Sequence, residues 1–292
     1  MPDVKRRSGP TGAIPVDTYD EFHEFVRSYV DGEYSLLILL GSPGVGKSQA
    51  IRNAIGNRQN CFLETHVTAF ALYRELYLYR DEPVIIDDID QIYSKPGCVR
   101  ILKALCNTDG TKTLRWTSGH QEIGDGSDQI PGSFTTNSPV CLIANEWRTL
   151  NENVRALEDR AIVVKFEPDA AEVHRRVGEW FSNDEVYGFI EQNLHLIARP
   201  SGRYYVKAEQ LLRANPNRWR DRILSVMGVD DRTRELMLLL EDRAYKSEEE
   251  RAAAFEAGGH GSRATYFRLK GKLKGARAVA PHGSLNGAER NL

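Results

Sequence analysis

Cysteine is scarce in this chain: four in 292 residues, at Cys61, Cys98, Cys106 and Cys141. None forms a C-x-x-C pair and none has a histidine at metal-ligand spacing, which excludes a disulfide framework and a zinc-finger scaffold. Reduced thiols inside a cytosolic fold are expected instead. Long hydrophobic runs are missing too, and nothing approaches the roughly 18 apolar residues of a membrane span. The opening MPDVKRRSGPTG is polar and has no apolar stretch, so no secretory signal is read there. A cytoplasmic protein without membrane contact is the expectation. An excess of one charge is also lacking. The formal net charge is -2 with 27% charged residues, so total charge names no partner and only its distribution can. What is present is 41% hydrophobic residues, enough for a sizeable core, on a length that suits one large or two smaller domains. No internal repeat is found.

Residues 1–15 read as a disordered arm. Thr18 to Val30 carries Phe22, Phe25, Val26 and Tyr29 at helical spacing, and Asp31-Gly32 ends the pattern. Ser35 to Leu40 is apolar throughout, as a strand buried on both faces should be. Further strands are read at Cys61–His66, Pro83–Ile86, Lys112–Ser118, Pro139–Ala144 and Ala161–Phe166. Between them lie helices from Thr68, a plausible N-cap, through AFALYRELYLY, and over Val99–Asn107. Gly119–Ser138, rich in Gly, Ser, Asp and Pro, reads as an irregular insert. Strands alternating with helices imply a parallel sheet covered on both faces. After Pro168 no strand is needed. Helices are expected at Ala170–Phe181, Asp184–Ile197, Ser201–Ala214, Arg218–Met227 and Asp230–Lys246.

The densest chemistry lies in LLILLGSPGVGKSQAIRNAI, from Leu36 to Ile55. Gly41, Ser42, Pro43, Gly44, Val45, Gly46, Lys47 and Ser48 fit G-x-x-x-x-G-K-[ST] at every position, between a predicted strand and a predicted helix. Glycines let the backbone turn its N–H groups inward around a phosphate, and the following helix aims its positive end at the same place. Lys47 would reach the β- and γ-phosphates, and the Ser48 hydroxyl would ligate Mg²⁺. An ordinary Gly-rich turn is the plain alternative. Such a loop calls for an acid at the end of another buried strand, and Val84-Ile85-Ile86-Asp87-Asp88 supplies one. Asp87 would hold Mg²⁺ through its water shell. Asp88 would polarise the attacking water, a task often given to Glu.

In this order the motifs resemble those of the AAA+ ATPases over roughly residues 18–228. The resemblance implies a P-loop α/β sheet sandwiched by helices, followed by an all-α lid, with ATP and Mg²⁺ as cofactors. It implies that Asn145, after the strand Pro139–Ala144, stands at the sensor 1 position and holds the lytic water. It places an arginine finger at Arg160 in Leu157-Glu158-Asp159-Arg160, with Arg155 as the rival. A finger acts across a subunit boundary, so a homo-oligomer, ring or filament, is implied. Arg203 in Pro200-Ser201-Gly202-Arg203 resembles sensor 2. The small AAA+ ATPases of phages and mobile elements are the most similar in organisation.

The C-terminal part gathers positive charge. SRATYFRLKGKL, from Ser262 to Leu273, puts Tyr266, Leu269 and Leu273 on one helical face. Arg263, Arg268, Lys270, Lys272, Lys274 and Arg277 follow without an intervening acid. Glu248–Ala257 reads as the preceding helix, with Ala252 and Phe255 inward, and Gly258-Gly259-His260-Gly261 as the turn. Helix, turn and basic helix resemble a helix-turn-helix, which implies double-stranded DNA contact through Arg263, Arg268, Lys270, Lys272 and Lys274. A solvated basic tail is the plain alternative. The expected organisation is an arm at 1–15, a nucleotide-binding α/β domain at 16–168, a helical lid at 169–229, the helix-turn-helix-like segment at 230–275 and a disordered tail at 276–292. Two functions fit: an oligomeric ATPase acting on DNA or a DNA-bound complex, or a slow ATP-dependent assembly switch. A metabolic kinase would need an acceptor-binding lobe that the sequence does not offer. The four tryptophans are expected to pack, and no metal site is expected at His66, His120 or His174.

Overall fold

The computed structural model describes residues 10, 12–64, 68–87, 95–108, 110–116, 130–145 and 157–279, with side chains to 274. The chain divides into two compact units, 1–172 and 173–292.

The first unit is built on a six-stranded parallel sheet. Its strands are β1 (Ile14–Val16), β2 (Leu36–Leu40), β3 (Cys61–Leu63), β4 (Val84–Asp87), β7 (Val140–Ala144) and β8 (Ile162–Phe166), in the spatial order β1-β8-β2-β7-β4-β3. A separate antiparallel pair joins β5 (Lys112–Arg115) to β6 (Ser133–Thr136). The helices among its described residues are α1 (Tyr19–Val30), α2 (Lys47–Ile55), α3 (Ala69–Leu78) and α4 (Pro96–Leu105). Every residue of β2 and β7 is buried, which is why both read as unbroken apolar runs.

Successive strand side chains alternate between faces. Leu36, Ile38 and Leu40 join the cluster formed with Leu72 and Leu76 of α3 and Leu102 and Leu105 of α4. The alternate residues Leu37 and Leu39 face the other side, where Phe22 of α1 stacks on Phe166 at 4.2 Å between ring centroids. Burying one such side chain contributes roughly 2–3 kcal/mol. The Thr18 and Thr68 side chains cap α1 and α3 by accepting from the Glu21 and Ala71 N–H groups, each worth about 1 kcal/mol.

Two expectations are corrected here. The segment read as an arm to residue 15 contains β1, whose Ile14 and Pro15 pair with Val164 and Lys165 of β8. Pro15 is tolerated because β1 lies at the sheet edge, where a missing N–H is harmless. The segment read as wholly irregular contains β6. Phe134 and Thr136 point inward while Ser133 and Thr135 face out, a short alternation hidden by its polar composition. Phe134 packs its ring against Tyr73 and Tyr77.

The second unit is helical throughout its described residues. With α5 (Ala170–Val177) crossing the unit boundary, it holds α6 (Asp184–Gln192), α7 (Arg203–Ala214), α8 (Trp219–Val226), α9 (Asp231–Glu241), α10 (Glu248–Ala257) and α11 (Arg263–Val279). Several are shorter than their periodicity predicts. The helix expected to run to Ile197 stops at Gln192, and Leu194–Leu196 forms a separate 3₁₀ turn. The Asn193 side chain bends back to donate to the Phe189 carbonyl at 2.7 Å, competing with the next helical turn.

Candidate functional site

The site grows from the junction of β2 and α2. Gly41 leaves the strand so close to β8 that a Cβ would stand 2.2 Å from the Phe166 carbonyl oxygen. Gly44 and Gly46 take φ of 85° and 89°, the left-handed region that glycine enters without strain. Gly46 is the residue before α2 and offers no side-chain cap, so the first amides of α2 stay open toward the loop.

Lys47 is 5% exposed, and its ammonium is held by the loop itself. Nζ donates to the Gly41 carbonyl at 2.7 Å, the Ser42 carbonyl at 3.0 Å and the Asn145 Oδ1 at 3.3 Å. The Ser48 hydroxyl donates to Asp87 Oδ2 at 2.5 Å. Sheet order explains the convergence. β7 lies between β2 and β4, with Ala144 opposite Leu40 and Asp87 opposite Ile143. Three strands therefore end side by side and deliver Gly41, Asn145 and Asp87 to one edge. Burial pushes the Cys141 thiol in β7 strongly up, and the Asp87 charge adds to the effect. That thiol is a packing group, not a nucleophile.

Sequence reasoning missed Tyr19. Its hydroxyl donates to the Val45 carbonyl at 2.9 Å, its backbone N–H donates to Glu172 Oε1 at 2.8 Å, and its ring meets Phe166 edge-on. The side chain thus braces the loop from beneath. No motif marks it; the available signal was an aromatic residue one turn before Phe22 on the buried face of α1.

The remaining candidates fall elsewhere. Asp88 and the rival Arg155 lie outside the described residues, as do His66, His120 and Trp147. Arg160 is exposed in the turn before β8, at the opposite end of the strands from the loop. It lines a cleft with Arg100, Lys103 and Thr113. Arg203 is the exposed first residue of α7, in the second unit, and its N–H is capped by the Ser201 hydroxyl at 3.2 Å.

His174 is buried, with Nδ1 2.8 Å from the Tyr205 hydroxyl and its ring stacked on Tyr187. Among the described residues no group of three or more His, Cys, Asp or Glu is arranged for a metal ion. All four cysteines are buried and none forms a disulfide. Trp219 packs as expected, but Trp180 is 57% exposed.

In the C-terminal helices, Ala252, Phe255, Tyr266 and Leu273 are buried. Two of the five basic residues assigned to DNA are occupied within the chain: Lys270 pairs with Glu248, and Arg263 with Glu249 at 3.4 Å. Tyr266 also donates to Glu248, at 2.9 Å. Arg268, Lys272 and Lys274 are exposed. No helix of the described residues is long and apolar enough to cross a membrane.

No family model and no curated protein matches the chain. Solved structures do resemble it. A Walker-type ATPase of Pyrococcus abyssi has 15% identity and a TM-score of 0.47, covering 89% of this chain and 91% of that one. A RuvB mutant of Thermotoga maritima has 16% identity and a TM-score of 0.43, covering 88% and 89%. NtrX from Brucella abortus, in complex with ATP, has 12% identity and a TM-score of 0.43, covering 90% and 70%.

Proposed function

We propose that this chain binds ATP with magnesium at the Gly41–Ser48 loop and hydrolyses it as an oligomer of the AAA+ type acting on DNA or a DNA-bound complex. The observation that carries the reading is the convergence of Lys47, Ser48, Asp87 and Asn145 at one sheet edge beside a left-handed glycine loop. A buried ammonium held by two loop carbonyls and an amide is already placed where an incoming phosphate would exchange for them. The Ser48 hydroxyl and Asp87 carboxylate are adjacent hard oxygen donors, which suits a magnesium ion that keeps most of its waters. In this reading Asn145 orients the attacking water, Asp88 polarises it, Arg160 reaches a neighbouring subunit's nucleotide, and Arg203 contacts the γ-phosphate. Exposed Arg268, Lys272 and Lys274 on α11 support DNA as a partner.

Lys47→Ala is expected to weaken ATP binding by well over tenfold, read by calorimetry, while circular dichroism stays unchanged. Unchanged affinity in the folded variant removes the nucleotide reading. The second reading, a slow assembly switch, is favoured by the aspartate at position 88 in place of the usual Glu. ATP turnover with and without double-stranded DNA, beside a sizing run in ATP, separates the two. Assembly without turnover selects the switch. Asp88→Asn should retain ATP and lose whatever turnover exists.

A further inference from the structure

We propose that the first unit carries a second anion site, distinct from the Gly41–Ser48 loop, in which Arg100, Lys103 and Arg160 bind phosphate groups. The three cations line one cleft of about 670 Å³. Arg100 and Lys103 stand one turn apart on α4, so they share a face. Arg160 comes from the turn preceding β8, and Thr111 and Thr113 from the start of β5. Asn107, Thr111 and Thr113 supply neutral hydrogen-bonding groups between the charges.

Among the described residues no carboxylate contributes to the lining. Some arginines elsewhere in the described residues do sit against acids: Arg52 on Glu64, Arg176 on Glu179, Arg234 on Asp221. An oxyanion seated between three cations is attracted by each of them. Hydrogen bonds from guanidinium and ammonium groups to phosphate are among the strong ones. Among the described residues the only apolar ones in the lining are Ala104 and Leu157, and none carries an aromatic ring. The cleft therefore reads phosphate and offers no platform on which a base would stack.

Two sources carry that chemistry: the polyphosphate of a nucleotide, and the backbone of a nucleic acid. The site stands on its own residues and does not need the ATPase reading, although Arg160 serves in both.

The test uses full-length protein carrying Lys47→Ala, so that the glycine loop contributes little. Inorganic tripolyphosphate is titrated by calorimetry and a short single-stranded oligonucleotide by fluorescence anisotropy, with and without R100Q/K103Q. Glutamine is a good helix former, so α4 should survive; circular dichroism and the thermal midpoint check it, and the two single variants stand in should the double variant fail to fold. Loss of about tenfold or more in tripolyphosphate affinity alone supports the site with nucleotide as source. Loss for the oligonucleotide as well supports it with a nucleic-acid backbone as source. The slope of log affinity on log salt should then be shallower by about 1.4, at roughly 0.7 per single-strand phosphate contact. Equal affinity for both ligands, before and after substitution in folded protein, overturns the proposal. ATP affinity with Lys47 intact is a separate measurement, so failure here leaves the loop's function standing, and the reverse.

Discussion

A single glycine shows how little room the Gly41–Ser48 loop has. Gly41→Ala would drive a Cβ to 2.2 Å from the Phe166 carbonyl, an approach that backbone must move to relieve. The expected cost is about 1–3 kcal/mol, as for overpacking in general, with weaker nucleotide binding; urea unfolding and ATP titration check both. The turn itself was legible because the glycines of G-x-x-x-x-G-K-[ST] fall between an apolar run and a helical pattern, and Gly44 and Gly46 do take the left-handed φ that such a turn needs. Tyr19 was not, because its contribution is one hydroxyl on the Val45 carbonyl, and any amphipathic helix supplies aromatic residues. His174 makes a different residue-scale prediction. Burial lowers its pKa from the ordinary 6.5, with the Glu191 charge acting in the other direction. As pH falls through 6.5 the unfolded chain takes up a proton that the folded unit refuses, so stability falls as pH drops below about 7 toward the lowered folded value. Above that range the group contributes nothing to the pH dependence. The urea midpoint should drop on acidification, and His174→Gln should lessen the drop.

At the scale of elements, the buried central strands β2, β4 and β7 were plain in the sequence, since β2 and β7 are unbroken apolar runs and β4 is one up to Asp87. Short or polar strands were hidden: β1 holds a proline, and β6 reads SFTT, whose only large apolar residue is Phe134. Tertiary packing, not propensity, makes both. Helix α11 carries the next prediction. Deleting it would uncover Phe255 and Ala252 of α10 and remove buried Tyr266 and Leu273, so truncation tests folding as much as DNA contact. Substitution is cleaner. Arg268, Lys272 and Lys274 are exposed, whereas Lys270 and Arg263 are held by Glu248 and Glu249. Replacing the exposed three with glutamine should weaken duplex binding. If each meets a phosphate, the slope of log affinity on log salt becomes shallower by about 2.7, at roughly 0.9 per contact. ATP affinity should be unchanged. An unaltered slope would make α11 a solvated basic helix.

At the scale of the whole molecule, strand polarity decides what Arg160 is able to do. The sheet is parallel, so the Gly41–Ser48 loop, Asn145 and the end of β4 all leave from one edge. Arg160 precedes β8, whose Ile162 lies opposite Leu37, and so belongs to the other edge. From there to Gly41 is about five or six residue steps, on the order of 18 Å at ~3.3 Å per step, further than one arginine side chain spans. Arg160 therefore has no route to its own chain's Gly41–Ser48 loop along the sheet, and in the proposed ATPase a role in hydrolysis requires a second copy. That makes complementation the decisive measurement. Arg160→Ala keeps a complete glycine loop but offers its neighbour no guanidinium. Lys47→Ala offers the guanidinium but has no competent loop. Each alone should assemble with little or no turnover. Mixed together, the interfaces that join an intact loop to an intact Arg160 should regain activity, up to about a quarter of the parent rate if subunits pair at random in equal amounts and each site works independently. Co-assembly is verified by sizing and by differently tagged subunits. Two proteins that assemble together and stay inactive would place Arg160 outside the reaction, leaving it with Arg100 and Lys103 in the cleft alone.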